Sequence, residues 1–264
     1  MARKRAQQIR RGCIWCGGAG PWSDEHAIAQ WLSNCLQERL GIRTPNFAVD
    51  GMWYDEDDVR AQPTKRVQLK LQVCTACNSG WMSAMETAVM STLPPLIFGE
   101  TLTLSDDQCR DLAAWAMKTL VNLAFMAHRD ANELYPVPVR DHLREEREPP
   151  QEAFIVAARF SGLERKLRTR VQDAVLRKPG GSLIGVTALA TTLIHAVAFQ
   201  MLSHNLPGAG TPTHGAVAQG AAIVLWPPVL GGSVAWPPPA SLASDEFDFF
   251  ADPPPSEVHA IVDT

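Results

Sequence analysis

The sequence predicts an α+β protein in which a metal-bound N-terminal module precedes a mixed α+β C-terminal domain. Two C-x-x-C pairs, Cys13 with Cys16 and Cys74 with Cys77, predict the module. Stretches with apolar residues every three or four positions occur alongside short alternating or continuous apolar runs, which predicts both helices and strands. At 264 residues, of which 46% are hydrophobic, the chain can bury a substantial core.

The two cysteine pairs predict a structural zinc site. A C-x-x-C turn places two thiolates about 4 Å apart, close to one edge of a tetrahedral zinc site, so two turns supply four sulfur ligands. Four sulfurs leave no open position for water or substrate, so any chemistry must come from other residues. The 57 residues between Cys16 and Cys74 exceed the roughly 15 to 20 of compact four-cysteine sites, so we expect an insertion between the pairs.

Two alternatives for the cysteines are disulfide bonds and redox-active pairs. The sequence before Cys13 has no apolar signal segment, and Cys35 and Cys109 stand apart from both pairs, which disfavours a disulfide framework. A redox C-x-x-C pair is typical of a βαβ context, which two separated pairs do not fit. We therefore expect zinc, and a cytoplasmic protein.

Composition limits the partners of the chain. No uninterrupted apolar stretch reaches the roughly 18 residues that a membrane span needs, so no membrane partner is expected. The net charge of −4 gives no overall attraction to nucleic acid, so affinity for DNA or RNA must come from local clusters. One is a basic arm at residues 1–10, continued by Arg11; its alternative is a solvated tail. The other spans residues 165–178, where the solvent-facing side of a strand or helix is the favoured alternative.

The N-terminal module is predicted to span residues 11–92. Apolar spacings of three and four predict an amphipathic helix over residues 28–40. Alternation over residues 65–73 predicts a half-buried strand, reached after an acidic hairpin tip or loop at 55–58. A helix is predicted from about 78 to 90, ended by the two prolines that follow.

The C-terminal domain is predicted to span residues 103–264. Ser105 and Gln108 form a predicted capping box that opens a long helix. The apolar face of this helix comprises Leu112, Trp115, Ala116, Thr119, Leu120 and Leu123. A charged helix is predicted near 140–147, followed by strands. The predicted strands cover residues 153–160, 183–190 and 221–226. Periodicity does not decide whether residues 192–202 form a helix or a buried strand. The proline-rich tail is predicted to run extended over the surface, with Ser244 capping a last short helix.

Residues beside the cysteines suit phosphodiester hydrolysis. His26 can accept a proton from water near neutral pH. Asp24 or Glu25 can hold a divalent cation through carboxylate oxygens, and Asn78 offers an amide oxygen to the same ion. Because Asn78 directly follows Cys77, a zinc-pinned helix start would fix its side chain.

Structural alternatives accompany these residues. His26 can serve only as a hydrogen-bonding side chain in a polar cleft, and Asn78 only as a helix cap. Glu86, about two helical turns after Asn78, is expected to be structural, and His195 to be a core histidine. Four tryptophans are expected to form a small core around the zinc, not a base-stacking platform. They are Trp15, Trp22, Trp31 and Trp81.

Residues 11–90 resemble the zinc-containing HNH endonucleases. The resemblance lies in the order C-x-x-C, then Glu25-His26-Ala27-Ile28, then C-x-x-C followed by Asn78 and Trp81. It implies a ββα-metal, treble-clef-like module. It also implies that His26 is the general base and that Glu25 and Asn78 are ligands of a catalytic Mg²⁺ or Mn²⁺, with DNA as the substrate.

The sequence departs from the family pattern at three places. Residues 67–73 lack the asparagine that orients the histidine, a role for which Gln72 or a backbone carbonyl is the alternative. Ala29 replaces a frequent proline, and Trp81 replaces a frequent lysine. The stretch 81–86 and a later Trp115-Ala116-Met117-Lys118 resemble a branch of uncharacterised bacterial and phage HNH proteins, for which phage DNA packaging or bacterial defence is a possible context. The alternative function is a non-catalytic zinc-stabilised module that binds nucleic acid or a protein.

Overall fold

The computed structural model is a mixed α+β fold, as predicted. It describes residues 12–40, 46–49, 52–54, 70–127, 131–162, 166–177, 183–203, 212–228, 232–251 and 259–260. The predicted basic arm and the predicted loop at 55–58 lie outside these residues. No helix in the described ranges is both long enough and apolar enough to cross a membrane.

A two-stranded ribbon forms the N-terminal end of the fold. Strand β1 (Trp22–His26) pairs antiparallel with β4 (Lys70–Cys74). Three elements lie between them in sequence, which agrees with the predicted insertion. They are α1 (Gln30–Leu40), β2 (Asn46–Val49) and β3 (Met52–Tyr54). The predicted strand at 65–73 is thus described only from Lys70 onward.

The ribbon runs directly into a helical segment of three parts. These are α2 (Thr75–Cys77), a π-helical turn (Asn78–Met82) and α3 (Ser83–Val89). The predicted single helix is divided because Gly80 has non-helical backbone angles, φ −93° and ψ −110°, which glycine adopts easily. The prolines expected after the helix instead occupy the first turn of α4 (Leu93–Ile97), where a missing N–H costs no hydrogen bond.

A long buried helix, α5 (Asp106–Ala127), lies at the centre of the molecule. Its capping box is confirmed: Ser105 N–H donates to Gln108 Oε1 at 2.9 Å, and Gln108 N–H donates to Ser105 Oγ at 3.2 Å. The predicted apolar face is buried as expected, and so is every other residue from 112 to 125. One side of α5 packs on the main sheet and another on β4 and α3, so this stretch of the helix is covered on all sides.

The main sheet has nine strands among the described residues: β2 and β3 precede α6 (Ala131–Leu134) and α7 (Val137–Glu146) in sequence, and the other seven follow them. Its antiparallel centre runs in the spatial order β7, β8, β9, β6, β11. These strands are β6 (Ala153–Arg159), β7 (Lys166–Arg177), β8 (Leu183–Ile194), β9 (Val197–Ser203) and β11 (Ala222–Trp226). The basic run at 165–178 therefore lies largely in strand β7. The stretch 192–202, for which periodicity left helix and strand open, contains the end of β8, a turn and most of β9.

Shorter elements complete the described fold. At the sheet edge lie β10 (Pro212–Thr213) and β13 (His259–Ala260), while β12 (Val234–Trp236) pairs with β5 (Leu102–Leu104) in a separate two-stranded sheet. The remaining helices are α8 (Gly215–Ala218) and α9 (Phe247–Ala251), the latter entered through a 3₁₀ turn at Ser244–Glu246.

Two expectations for the C-terminal region are corrected. His195 occupies the β8–β9 turn with φ 58°, half-buried, and is not a core histidine. Trp236 of the proline-rich tail is 1% exposed, and its Nε1–H donates to Leu96 O at 3.0 Å. At this point the tail is anchored in the core and does not run over the surface, because the indole gains both burial and a hydrogen-bond partner there.

Two apolar clusters cover the two faces of the main sheet. The larger joins the cysteine-bearing end, α5 and one face of the sheet, so it includes residues from both predicted domains. The smaller lies on the opposite face beneath α8 and α9. The division between residues 92 and 103 stays a prediction.

A buried polar chain crosses the smaller cluster. The ring nitrogen Nε2 of His214 lies 2.5 Å from Gln200 Oε1. The amide of Gln200 donates to Thr191 Oγ1 at 3.0 Å and to Phe250 O at 2.5 Å. Burial lowers the pKa of His214 to about 4, because the charged imidazolium loses its hydration.

Because the pKa of His214 is lowered, we expect the protein to lose stability in acid. The folded-state pKa of this residue lies below that of an unfolded histidine, so its contribution is complete above about pH 6.5 and is lost as pH falls toward 4. The loss of unfolding free energy over that window is up to about 3 kcal/mol. Urea unfolding across pH 4 to 7 measures it. We expect His214→Gln to flatten this part of the profile; an identical slope in the variant would contradict the assignment.

Candidate metal centre and the adjoining strand

The four cysteines of the two C-x-x-C pairs converge on one point. The Sγ atoms of Cys13, Cys16, Cys74 and Cys77 all lie within 4.8 Å of one another, and those of Cys16 and Cys74 are 3.5 Å apart. A tetrahedral ion with bonds of about 2.3 Å has sulfur–sulfur edges of about 3.8 Å. The four thiols can therefore bind a metal ion such as zinc, and the predicted convergence is confirmed.

The first pair sits on a tight backbone turn. Cys13 N–H donates to Gly18 O, and Gly17 N–H donates to Cys13 O, both at 2.8 Å. Gly17 has φ +69°, a left-handed conformation that favours glycine. A Cβ on Gly12 would meet Gly17 O at 2.4 Å, so only glycine fits there. The turn also brings Gly18 N–H to within 3.4 Å of Cys16 Sγ.

The second pair is fixed by the end of β4 and the start of α2. Thr75, between Cys74 and Cys77, donates both its N–H and its hydroxyl to Pro21 O, at 2.8 and 3.1 Å. This ties the second pair to the residue that precedes β1. Burial raises the pKa of the Cys77 thiol. Metal binding, which requires the thiolate, therefore competes with protons and weakens as the pH falls.

Three of the four tryptophans near the cysteine cluster are buried or partly buried in the core. Trp15 and Trp81 are 1% and 6% exposed, and their rings meet edge to face with centroids 4.9 Å apart. Trp31 packs partly buried against the same cluster. Trp22 is 45% exposed, so the prediction that it belongs to this core is wrong.

The exposure of Trp22 follows from the alternation of strand β1. Successive side chains of a strand point to opposite faces. Ser23 and Glu25 face the interior, where Glu25 is 4% exposed. Trp22, Asp24 and His26 face outward; Asp24 is exposed and His26 is half-buried. Adjacent in sequence, Glu25 and His26 thus project from opposite sides of the strand, and Asp24 is the acid that shares the face of His26.

Glu25 takes part in a buried ion-pair network centred on α5. Lys118 Nζ–H donates to Glu25 Oε1 at 2.9 Å and to Glu86 Oε1 at 2.7 Å. Asn122 Nδ2 lies 3.5 Å from the same Glu25 oxygen, and Trp15 Nε1–H donates to Asn122 Oδ1 at 3.0 Å. The network joins β1, α3, α5 and the first cysteine turn.

The ammonium of Lys118 and the carboxylates of Glu25 and Glu86 stabilise one another's charged forms. Burial raises the pKa of Glu25, against the opposing effect of the Lys118 ammonium. Burial also favours the neutral amine of Lys118, which is 0% exposed, but Glu25 and Glu86 outweigh it and raise the pKa of this lysine. Glu86 is thereby held in an ion pair, as expected for a structural residue. The role of Glu25 as ligand of a catalytic cation stays a prediction.

Sequence reasoning missed Lys118 and Asn122. The available signal was two polar residues four positions apart, hence on one face, within a stretch of α5 that is otherwise almost entirely apolar. Such a pair in a buried helix requires polar partners from other elements.

The side chain of Asn78 bonds to β1, and the residue begins the π-helical turn, whose N-cap position is occupied by Cys77. Its Nδ2–H₂ group donates to Ser23 Oγ at 2.8 Å and to Asp24 O at 3.2 Å. The residue thus joins the segment that follows Cys77 to the middle of β1. Gln72, the expected substitute for the missing asparagine, is exposed and paired in register with Asp24, while His26 is opposite Lys70. Its proposed contact with His26 stays a prediction.

A comparison with known proteins finds no matching family model, no matching curated protein and no matching solved structure. The site is therefore interpreted from its own geometry.

The thiol cluster predicts about one tightly bound zinc per chain. We expect Cys74→Ser to lose the metal and to unfold at a lower temperature, because the binding free energy of a structural metal contributes directly to folding. Cys35→Ser is the matched control, since Cys35 lies in α1 outside the cluster and should keep both. Zinc content and thermal unfolding measure this. A well-folded wild-type preparation without metal would refute it.

The ion-pair network predicts a large cost for removing its cation. Lys118→Met leaves two carboxylates facing each other in the interior, and we expect it to lower the unfolding free energy by about 3 to 5 kcal/mol. Arg110→Met is the control on the same helix: its pair with Asp107 is exposed and should cost at most about 1 kcal/mol. Urea unfolding compares the two variants. Equal, small losses would mean that the buried pair contributes no more than a surface pair.

Proposed function

We propose that this chain is a metal-dependent endonuclease of the HNH type that hydrolyses phosphodiester bonds in DNA on a structural Cys₄ zinc scaffold. The observation that carries the proposal is the order of elements at the thiol cluster. Strand β1 pairs antiparallel with β4, β4 runs directly into α2, and His26 lies at the end of β1 on its outward face. This order supports the ββα-metal module that the resemblance implies.

The outward face of β1 supplies the reacting groups in this proposal. His26 takes the proton of the attacking water as general base. Asp24 is assigned as the carboxylate ligand of the catalytic cation in place of Glu25, because Asp24 shares the face of His26 whereas Glu25 is committed to Lys118. Asn78 is the second ligand that the resemblance implies; its amide donates to Ser23 Oγ on the inward side of β1 and to the backbone of Asp24, so it would have to reach the cation from the edge of the strand. When bound, Mg²⁺ or Mn²⁺ stabilises the charge that develops on the phosphate.

The second candidate is a non-catalytic zinc-stabilised module that binds nucleic acid or a protein. The burial of Glu25 in an ion pair favours it, because the family's acidic ligand is then unavailable to a catalytic cation. The absence of an asparagine from residues 67–73 points the same way. In this reading His26 and Asn78 serve the fold alone.

A plasmid cleavage assay separates the two candidates. We expect wild type to nick or linearise plasmid DNA with Mg²⁺ or Mn²⁺, and His26→Ala to be slower by about 10²- to 10⁴-fold, the usual contribution of a general base. His259→Ala, in β13, is the matched histidine control and should cleave normally. No cleavage by wild type with either metal, or equal cleavage by wild type and His26→Ala, would favour the binding module.

The two candidate ligands can be separated in the same assay. We expect Asp24→Asn to require a much higher Mg²⁺ concentration for half-maximal cleavage while keeping its zinc and its stability, because Asp24 is exposed. Glu25→Gln should act mainly on stability, since Glu25 is paired with Lys118. The reverse pattern would return the ligand role to Glu25.

A further inference from the structure

One tryptophan near the cysteine cluster, Trp22, lies outside the core. The indole of Trp22 is 45% exposed, whereas those of Trp15 and Trp81 are 1% and 6% exposed. Exposing half of an indole forgoes much of the free energy that its burial would provide. Single exposed apolar residues are common, so the position and support of this side chain decide its significance.

Trp22 has close neighbours for both its backbone and its indole. It pairs in register with Cys74, one of the four metal-binding residues, at the end of the ribbon. Gly20 has φ +60°, and a Cβ built on it would lie 3.1 Å from Nε1 and 3.2 Å from Cδ1 of Trp22. The indole therefore lies against the Gly20 backbone. A rigid aromatic surface loses little conformational entropy when it binds a ligand.

The exposed indole shares its strand face with the proposed reacting groups. Trp22, Asp24 and His26 occupy alternate positions of β1, so about 13 Å of strand separates the first Cα from the last. Gln72, opposite Asp24 on β4, is exposed and adds an amide that can donate and accept hydrogen bonds.

The occupant that fits an exposed indole beside these groups is a nucleobase. Base stacking on an aromatic side chain is tolerant of sequence, because every base has a π face. A base within a duplex has both faces covered, so the partner must be unpaired or single-stranded. The sequence before Gly12 contains Arg3, Lys4, Arg5, Arg10 and Arg11, and basic residues bind phosphates irrespective of the base sequence.

We propose that Trp22 is a stacking platform for an unpaired base, and that it directs single-stranded nucleic acid onto the outward face of β1. This inference rests on the proposed function and adds a single-stranded ligand to the plasmid DNA that the same site is proposed to cleave. Trp22 positions the strand and takes no part in bond cleavage.

Binding of a fluorescently labelled single-stranded oligodeoxynucleotide without divalent metal tests the platform apart from cleavage. We expect Trp22→Ala to weaken binding by about 5- to 150-fold, which corresponds to the ~1 to 3 kcal/mol of one stacked base. Trp22→Phe should retain much of the affinity. Phe249→Ala is the control, because Phe249 is an exposed aromatic residue of α9, 51% exposed, and should bind as wild type does. Affinity for a duplex of the same sequence should change little in every variant.

Three results would overturn the platform: no single-strand binding by wild type, unchanged binding by Trp22→Ala, or an equal loss of single-strand and duplex affinity in that variant. Zinc content and thermal unfolding verify that Trp22→Ala is folded. Selective loss of single-strand binding in a protein that cleaves nothing would uphold the platform and refute the endonuclease. Cleavage with unchanged binding by Trp22→Ala would do the opposite.

Discussion

The structure depends on the convergence of four thiols from two distant parts of the chain. The pairs Cys13/Cys16 and Cys74/Cys77 are separated by 57 residues, 17–73, yet their sulfur atoms lie within 4.8 Å of one another. Closing a loop of that length costs conformational entropy, which a metal shared by both pairs can offset. The closure places β1 against β4 and sets the start of the following helix.

A second constraint, the Lys118 ion-pair network, fixes which face of β1 points inward. Lys118 holds Glu25 in the interior, so the alternation of the strand turns Trp22, Asp24 and His26 outward. A buried ammonium between two carboxylates contributes little to stability compared with apolar packing. It does require one specific arrangement of β1, α3 and α5, because any other leaves a charge unpaired in the core. Helix α5 of the predicted C-terminal domain thereby orients the candidate site.

Local patterns in the sequence predicted much of this fold. The capping box at Ser105, the C-x-x-C turns and the strands at 153–160 and 221–226 depend on neighbouring residues, so they could be recognised from short windows. Periodicity also identified α5 as a helix. It could not show that all sides of α5 are covered, because that depends on elements packed from distant parts of the chain.

The candidate site was harder to predict for the same reason. The Glu25–Lys118 pair joins residues 93 positions apart, and no local spacing indicates it. Only Trp22 of the five residues in β1 is apolar, so no hydrophobic alternation indicates which set faces the core, and the sequence predicts Trp22 in the core and Glu25 beside His26. The interruption of the helix at Gly80 could not be predicted, because glycine permits non-helical backbone angles but does not require them.

X-ray absorption at the zinc edge of the purified protein tests the central claim most directly, because it reports the atoms bound to the metal without assuming a function. The account predicts a first shell of four sulfur atoms at about 2.3 Å, with no nitrogen or oxygen. A shell that contains oxygen or nitrogen, or fewer than four sulfurs, would contradict it: the metal would then have an open or different site, and the thiols would not be the constraint that builds the ribbon.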